Sequence, residues 1–258
     1  MIKEEIRFGA SAVMEGMTSI SALLAARAAG VNDREIEEIR FDRSKTAKKA
    51  RELSFLKAKC KELGIPLVLT DTEELEKICI GNTHGGIVAL CGERTIPSLA
   101  LDNIPQNGFL CFLDGIEDPY NFGYALRSLY AAGCDGILLG ERNWMTAAGV
   151  VARASAGASE ALPLFGGEPT VAIQLAKDCG YRVAVAGIRD AIPYHTANLE
   201  KPLLLVVGGE KRGVSSAVAA LSDLTVCIEY GRAFRGSLSA ASAATVLGFE
   251  VLRQNPQK

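Results

Sequence analysis

The sequence predicts an α/β protein with a parallel sheet in its second half and a smaller α/β unit ahead of it. Three observations carry this. Short apolar runs alternate with helically spaced stretches along most of the chain. A strand–loop–helix–strand unit at Phe109–Leu139 has the form of a right-handed crossover between parallel strands. Between the halves, Gly92–Gly108 holds Pro97 and Pro105 and shows no sustained period, which marks a linker. The 258 residues allow one large domain or two ordinary ones. The expected division is a domain at 1–92, a linker at 93–108 and a domain at 109–258.

The elements follow in order. Ser11–Ala28 sets Val13, Met14, Met17, Ile20, Leu23 and Leu24 on one helical face, and Gly30 closes it. Glu35–Phe41, with Ile36 and Ile39 inward, reads as a strand. Thr46–Leu63 is a basic amphipathic helix ending at Gly64. A strand at Pro66–Leu69, an acidic helix at Thr72–Lys77, a loop at Gly81–Gly86 and a strand at Ile87–Leu90 complete the first unit. In the second half, the strand Phe109–Leu113 breaks at Asp114-Gly115. Asp118-Pro119 is expected to hold off an early helix, so Asn121 is expected as the N-cap of a helix reaching about Ala132. Gly133 stops it, and Gly136–Leu139 is the next strand. A helix near Ala147–Ser155, an apolar segment at Leu162–Phe165 and a helix at Pro169–Cys179 come next. Strands at Arg182–Ala186 and Leu203–Val207 follow. A helix at Ser215–Leu221, a strand at Leu224–Ile228 and a long final helix capped by Ser237 close the chain.

Composition narrows the class. A hydrophobic share of 48% supplies a core and argues against disorder. A net charge of −2 neither favours nor opposes a nucleic-acid partner, because a basic patch is local. The opening MIKEEIRFG lacks an apolar signal core, and no apolar run is long enough to span a bilayer. The seven cysteines are scattered without a CxxC pair, as expected of reduced packing residues in a cytoplasmic protein without membrane contact.

Three stretches are candidates for chemistry. In parallel sheets ligands bind beyond the carboxyl ends of strands, which is where Asp114, Asp118, Asn121 and Arg127 fall. Leu203–Ser215 reads LLLVVGGEKRGVS, an apolar strand stopped by Gly208 and Gly209 and followed by a charged turn. Glycines there permit close backbone approach to a ligand. Glu210 is either a solvated charge, which the residues alone favour, or a site carboxylate. Gly231–Ala244 reads GRAFRGSLSAASAA, in which Ser237 and Ser239 are a cap and a first-turn residue or something more, and Arg232 and Arg235 either meet phosphate or sit in solvent. A P-loop, a dinucleotide fingerprint, a nucleophile elbow and a zinc spacing are absent, so no metal is expected. Lys45, Lys48, Lys49, Arg51, Lys57, Lys59 and Lys61, extended by Arg40 and Arg43, are a solvated helix face or a phosphate-contacting one.

DPYNFGYALRS at Asp118–Ser128, VVGGEKRGVS at Val206–Ser215 and SLSAASAA at Ser237–Ala244 resemble, in order and spacing, the three motifs of the SpoU (TrmH) family of RNA ribose methyltransferases in the SPOUT superfamily. SAGASEALP at Ser155–Pro163 is similar to a further recurring segment. RFGASAVMEGM at Arg7–Met17 and THGGIVAL at Thr83–Leu90 resemble the L30e-like substrate-binding domain of many members, which gives the basic helix an RNA-holding role. The resemblance implies a C-terminal α/β-knot domain with a deep trefoil knot, a homodimer formed through it, S-adenosyl-L-methionine as cofactor and a ribose 2′-hydroxyl of RNA, ribosomal more than transfer RNA, as methyl acceptor. It assigns Asn121, Arg127, Glu210 and Ser237 to catalysis, and Gly208, Gly209, Ile228, Ser237 and Leu238 to the cofactor. The chain departs from the pattern at Ser239, normally asparagine, at Tyr124, normally small, and in IEYGRAFRG, which adds Arg232 and Arg235. Two other readings stand beside it: a non-catalytic RNA-binding protein with a vestigial pocket, and a nucleotide-binding α/β enzyme that ignores RNA.

Overall fold

The structure is a computed structural model and describes residues 12–79, 84–140 and 147–256. Two compact units divide it. One comprises the described residues of Met1–Thr95 and Trp144–Ala161, the other those of Ile96–Asn143 and Leu162–Lys258. The expected loop at Gly81–Gly86 lies partly outside the described residues.

The first unit is a four-stranded sheet in the order β1-β4-β2-β3, formed by β1 (Ala12–Glu15), β2 (Ile36–Asp42), β3 (Leu67–Thr70) and β4 (Ile87–Cys91). Three helices accompany it: α1 (Met17–Ala28), α2 (Ala50–Leu63) and α3 (Thr72–Ile78). The single helix expected over Ser11–Ala28 is instead a strand and a helix. Ala12–Glu15 pairs antiparallel with β4, and Gly16 at φ 84° turns the chain into α1. A left-handed glycine interrupts what apolar spacing alone reads as continuous. Ile36 and Ile39 lie three apart and would occupy opposite faces of a regular strand. A register shift between Ile36 and Glu38 corrects this, leaving Ile39 fully buried. Helix α2 starts at Ala50, later than expected. The Asp42 carboxylate accepts from the Ser44 amide at 2.9 Å and heads a short 3₁₀ turn over Arg43–Lys45. Its apolar side buries Leu53, Leu56 and Cys60, and Arg51, Lys57 and Lys61 stay exposed.

The second unit holds a seven-stranded sheet whose pairings are all parallel, in the order β7-β6-β5-β10-β8-β11-β9. The strands are β5 (Phe109–Asp114), β6 (Gly136–Leu138), β7 (Leu164–Phe165), β8 (Arg182–Ala186), β9 (Ile192–Pro193), β10 (Leu203–Gly208) and β11 (Leu224–Cys227). Strand β10 runs beside β5 from Leu203↔Phe109 to Gly208↔Asp114, and both strands are buried until their last residue. Helix α4 (Pro119–Ala131) follows β5. It starts before Asn121, and its N-cap is Asp118, whose carboxylate accepts from the amides of Tyr120 and Asn121. Pro119 does not delay the helix, because the first helical position needs no amide hydrogen and favours proline's φ. After α7 (Pro169–Asp178) and α8 (Ser216–Ala219) comes the final helix, α9 (Ala240–Gln254), which is capped by Ser239 and not by Ser237. Helices α4 and α9 pack closely: Thr245 Oγ1 donates to Ser128 Oγ at 2.6 Å, and Gly248 faces Leu129 and Ala132.

Between β6 and β7 the chain supplies the first unit with α5 (Ala148–Ala154) and α6 (Ala158–Ala161). Glycines allow the contact. A Cβ on Gly149 would lie 2.1 Å from the Val13 carbonyl oxygen, and one on Gly157 2.4 Å from the Ala22 Cβ. A buried charge cluster completes it. Glu160 accepts from Arg34 Nε at 2.8 Å and from Asn32 Nδ2 at 2.6 Å, and Arg94 donates to the Ser159 carbonyl at 2.8 Å.

Candidate active site

Because the second sheet is parallel, β5, β8, β10 and β11 end along one edge, and the segments leaving them gather there. The turn after β10 is closed by the Gly213 amide donating to the Gly209 carbonyl at 2.8 Å, which sets Glu210, Lys211 and Arg212 at its tip. It is bound to the end of β5. The Gly209 amide donates to the Asp114 carbonyl at 2.7 Å, and the Ser215 amide to the Asp114 carboxylate at 2.8 Å. Here the glycines serve the chain itself. A Cβ on Gly208 would lie 2.3 Å from the Gly213 carbonyl carbon, and one on Gly209 2.4 Å from the Gly115 oxygen. Two backbone segments cross too closely for any side chain, so this need explains Gly208 and Gly209 before any ligand does.

Asn121 is the junction. Freed from capping duty, its Nδ2 donates to Glu210 Oε1 at 2.7 Å, and its Oδ1 accepts from the Ala241 amide at 3.3 Å. One amide side chain thereby connects the three sequence stretches singled out above. Glu210 is exposed, as its turn position favours, and is at the same time bonded to Asn121 at this junction. Lys211 pairs with Glu117 at 3.3 Å on the outer side.

Before α9, the chain folds back on itself. Tyr230 Oη accepts from the Leu238 amide at 3.0 Å, and the Tyr230 and Phe234 rings meet edge to face with centroids 5.8 Å apart. Ser239 Oγ accepts from the Ser242 amide at 3.1 Å. That accounts for the departure at this position: serine and asparagine are about equally good N-caps, so the helix start loses nothing by the exchange.

A cleft of about 540 Å³ opens among these segments. Its walls include Gly208, Gly209, Ile228, Ser237 and Leu238, all five positions expected at the cofactor, together with Glu210. A smaller cleft of about 200 Å³, lined by Gly115, Asp118, Asn121 and Arg212, shares Gly209, Glu210 and Ala240 with it. Asn121, Glu210 and Ser237 are thus gathered at one place. Arg127 is not among them. It is exposed on α4, lines neither cleft, and among the described residues no hydrogen bond or ion pair joins it to Asn121 or Glu210. It shares an exposed helical stripe with Tyr120 and Tyr124. Tyr230, Phe234 and Ile188 also line the larger cleft, and sequence reasoning singled out none of them. The signal for Phe234 was its position between Arg232 and Arg235. The Ala241 amide, a backbone donor, left no signal.

Comparison with known proteins bears on the family and the fold. The model of the SpoU rRNA methylase family matches residues 108–249, and that of the RNA 2′-O ribose methyltransferase substrate-binding domain matches residues 13–97. A Staphylococcus aureus (strain COL) protein named for the TrmH family of tRNA/rRNA methyltransferases is 35% identical over 144 residues, covering 55% of this chain and 57% of that protein. A Staphylococcus haemolyticus (strain JCSC1435) counterpart is 35% identical over 147 residues, covering 56% and 58%. The chain thus spans a little over half the length of these relatives. Among solved structures, the AdoMet-bound SpoU methyltransferase AviRb of Streptomyces viridochromogenes superposes with a TM-score of 0.77 at 21% identity, over 98% of this chain and 97% of that one. An AdoMet-bound rRNA methyltransferase of Sinorhizobium meliloti gives 0.78 at 21% identity, over 100% and 95%. At these identities the superpositions establish the fold.

Proposed function

The chain belongs to the SpoU rRNA methylase family, and from that premise we propose that it transfers a methyl group from S-adenosyl-L-methionine to a ribose 2′-hydroxyl of RNA. The observation that carries the reading is the Asn121 junction, where one side chain binds Glu210 and the start of α9 beside a cleft of suitable size. Small-molecule sites commonly enclose about 300–1,000 Å³. The cleft's mixture of apolar side chains and loop backbone, with Glu210 as its carboxylate, suits a cationic, partly apolar ligand. Gly208, Gly209, Ile228, Ser237 and Leu238 would hold the cofactor, which supplies an electrophilic methyl on sulfur.

The protein's own residues do the rest. Asn121 and Glu210 fix the relation between the second turn and the start of α9, so the acceptor oxygen meets the methyl in line; alignment of this kind is the larger part of such catalysis. The apolar walls keep water from the reacting atoms. A guanidinium is a donor without a free acceptor site and makes a poor base, so Arg127 is not the proton acceptor. Its role in this reading is to hold the neighbouring phosphate and steady the developing oxyanion, while the hydroxyl proton leaves to solvent and the sulfur keeps the electron pair of the broken bond, giving S-adenosyl-L-homocysteine. The family's homodimer, formed through the second unit, belongs to the same reading, as does the trefoil knot. The tight crossings at Gly208 and Gly209 support the knot. Ribosomal RNA is the favoured substrate, because a separate substrate-binding domain suits a large folded target. The first unit supplies that domain, and the exposed cations of α2 give it a phosphate-facing surface.

The test has two parts. Calorimetry measures S-adenosyl-L-methionine binding, and mapping of 2′-O-methyl sites compares RNA from cells with and without the gene. A missing methyl in the second comparison, restored by the wild-type chain and not by Arg127→Ala, is the expected result. Identical maps together with an absence of cofactor binding would refute the reading.

A further inference from the structure

The segment between β11 and α9 departs most from the family pattern, and the fold leaves part of it unused. Phe234 is 60% exposed, although its ring is held in place. Tyr230 supports it edge to face, and Tyr230 is itself pinned by the Leu238 amide. Gly236 passes beneath, where an added Cβ would lie 2.6 Å from the ring. Arg232 and Arg235 flank the ring in sequence, are exposed, and form no ion pair with a described residue. Phe234 and Arg235 both line the larger cleft.

A fixed aromatic face open to solvent suits another planar ring. Under the function proposed above, two rings come near: the adenine of the methyl donor and a nucleobase of the RNA. Charge decides between them. S-adenosyl-L-methionine has no phosphate for the two guanidiniums to meet, and the same cleft offers Glu210 to its cationic groups. A ribonucleotide brings a phosphate beside every base, and an aromatic ring flanked by arginines is how unpaired nucleotides are commonly held. We propose that Phe234 is a stacking platform for an unpaired nucleobase of the RNA next to the target ribose, with Arg232 and Arg235 taking the adjoining phosphates. This rests on the RNA methyltransferase reading and adds to it a substrate-positioning residue that the family motifs do not contain.

A short single-stranded oligoriboadenylate is the probe, since stacking of this kind tolerates sequence. Phe234→Ala is expected to weaken its binding roughly five- to a hundredfold by fluorescence anisotropy, with a clearly smaller loss of cofactor affinity by calorimetry. Phe234→Trp should keep the affinity, and its added emission should be quenched by the oligonucleotide. Gly236→Ala, which displaces the ring without removing it, should weaken RNA binding in the same direction. Neutralising Arg232 and Arg235 with glutamine should flatten the salt dependence of binding by about 0.7 per lost phosphate contact. Unchanged RNA affinity in Phe234→Ala with no quenching in Phe234→Trp would overturn the proposal. So would a loss of cofactor affinity matching the loss for RNA, which would put adenine on the ring. The parent reading fails separately, when the wild-type chain binds no cofactor and methylates no RNA; the quenching measurement does not depend on either.

Discussion

At the scale of single residues, the site depends on side chains doing jobs other than the ones their neighbours in sequence suggest. Asp118 takes the capping of α4, which releases Asn121 to join Glu210 and the start of α9. Asn121→Ala removes both links while leaving the cap. Misplacement on the scale of an ångström costs roughly a hundredfold in rate, so methyl transfer should fall by that order, with the thermal midpoint little changed. Glu210→Gln keeps an oxygen acceptor for the Asn121 amide and should lose much less. Equal losses in the two variants would show that the Glu210 charge, and not the junction, is what matters; single-turnover methylation rates distinguish the cases. Ser239 offers a second test. As an N-cap it should tolerate Ser239→Asn with almost no change, whereas Ser239→Ala should cost about 1 kcal/mol, read as a shift in the urea midpoint. A large effect of Ser239→Asn would mean that the hydroxyl is used for something besides capping.

At the scale of elements, buried charge fixes helices that sequence spacing locates only coarsely. Glu160 on α6 is 2% exposed and lies against Arg34 and Asn32. Glu160→Ala strands a buried guanidinium, and removing one partner of such a pair costs about 3–5 kcal/mol. Equilibrium unfolding should show that loss, with Glu160→Gln intermediate because its amide still offers an oxygen. Asp42 at the end of β2 gives a pH-dependent case. Burial pushes its carboxyl up, but hydrogen bonds from Ser44 and Thr72 and the Lys45 charge outweigh this and hold it below the ordinary aspartate value. A folded value below the unfolded one, about 3.9, means that the contribution is complete above that pH. It fades as the pH falls through the folded value. The stability gap between wild type and Asp42→Asn should therefore be full at neutral pH and close in strong acid; a gap independent of pH would remove the charge from the account. These cases also show what the sequence could tell. The strands at 109–114, 182–186 and 203–208 were legible because unbroken apolar runs allow little else. The split at Gly16, the late start of α2 and the caps at Asp118 and Ser239 were not, because each depends on which of several competent residues the three-dimensional neighbours select. At the site, Asn121, Glu210 and Ser237 were legible through motif spacing, but the bond between Asn121 and Glu210 spans 89 positions and left no local trace.

At the scale of the whole molecule, the open question is why Arg127 stands apart from the residues it is expected to work with. Helix α4 turns Asn121 toward Glu210 and α9, and the same helix leaves Arg127 exposed beside Tyr120 and Tyr124, which are 41% and 51% exposed. An exposed tyrosine pair with an arginine has the composition of an interface core. The proposed homodimer predicts that this stripe meets a second copy and that Arg127 serves the partner's cleft. Tyr124→Asp would place a charge in the contact, and light scattering should then report a monomer where the wild type gives a dimer. A complementation experiment tests the arginine directly. Asn121→Ala and Arg127→Ala chains should each be inactive alone. If Arg127 acts across the interface, a mixed dimer has one site with both residues intact and one with neither. Mixing the two inactive proteins should then restore about a quarter of wild-type activity, since half the dimers are mixed and each of those has one working site of two. If Arg127 acts within its own chain, every site in the mixture lacks one residue and no activity returns. Full subunit exchange, confirmed by mass spectrometry, with no recovered methylation would place the arginine in its own chain's site and require α4 to turn on binding RNA.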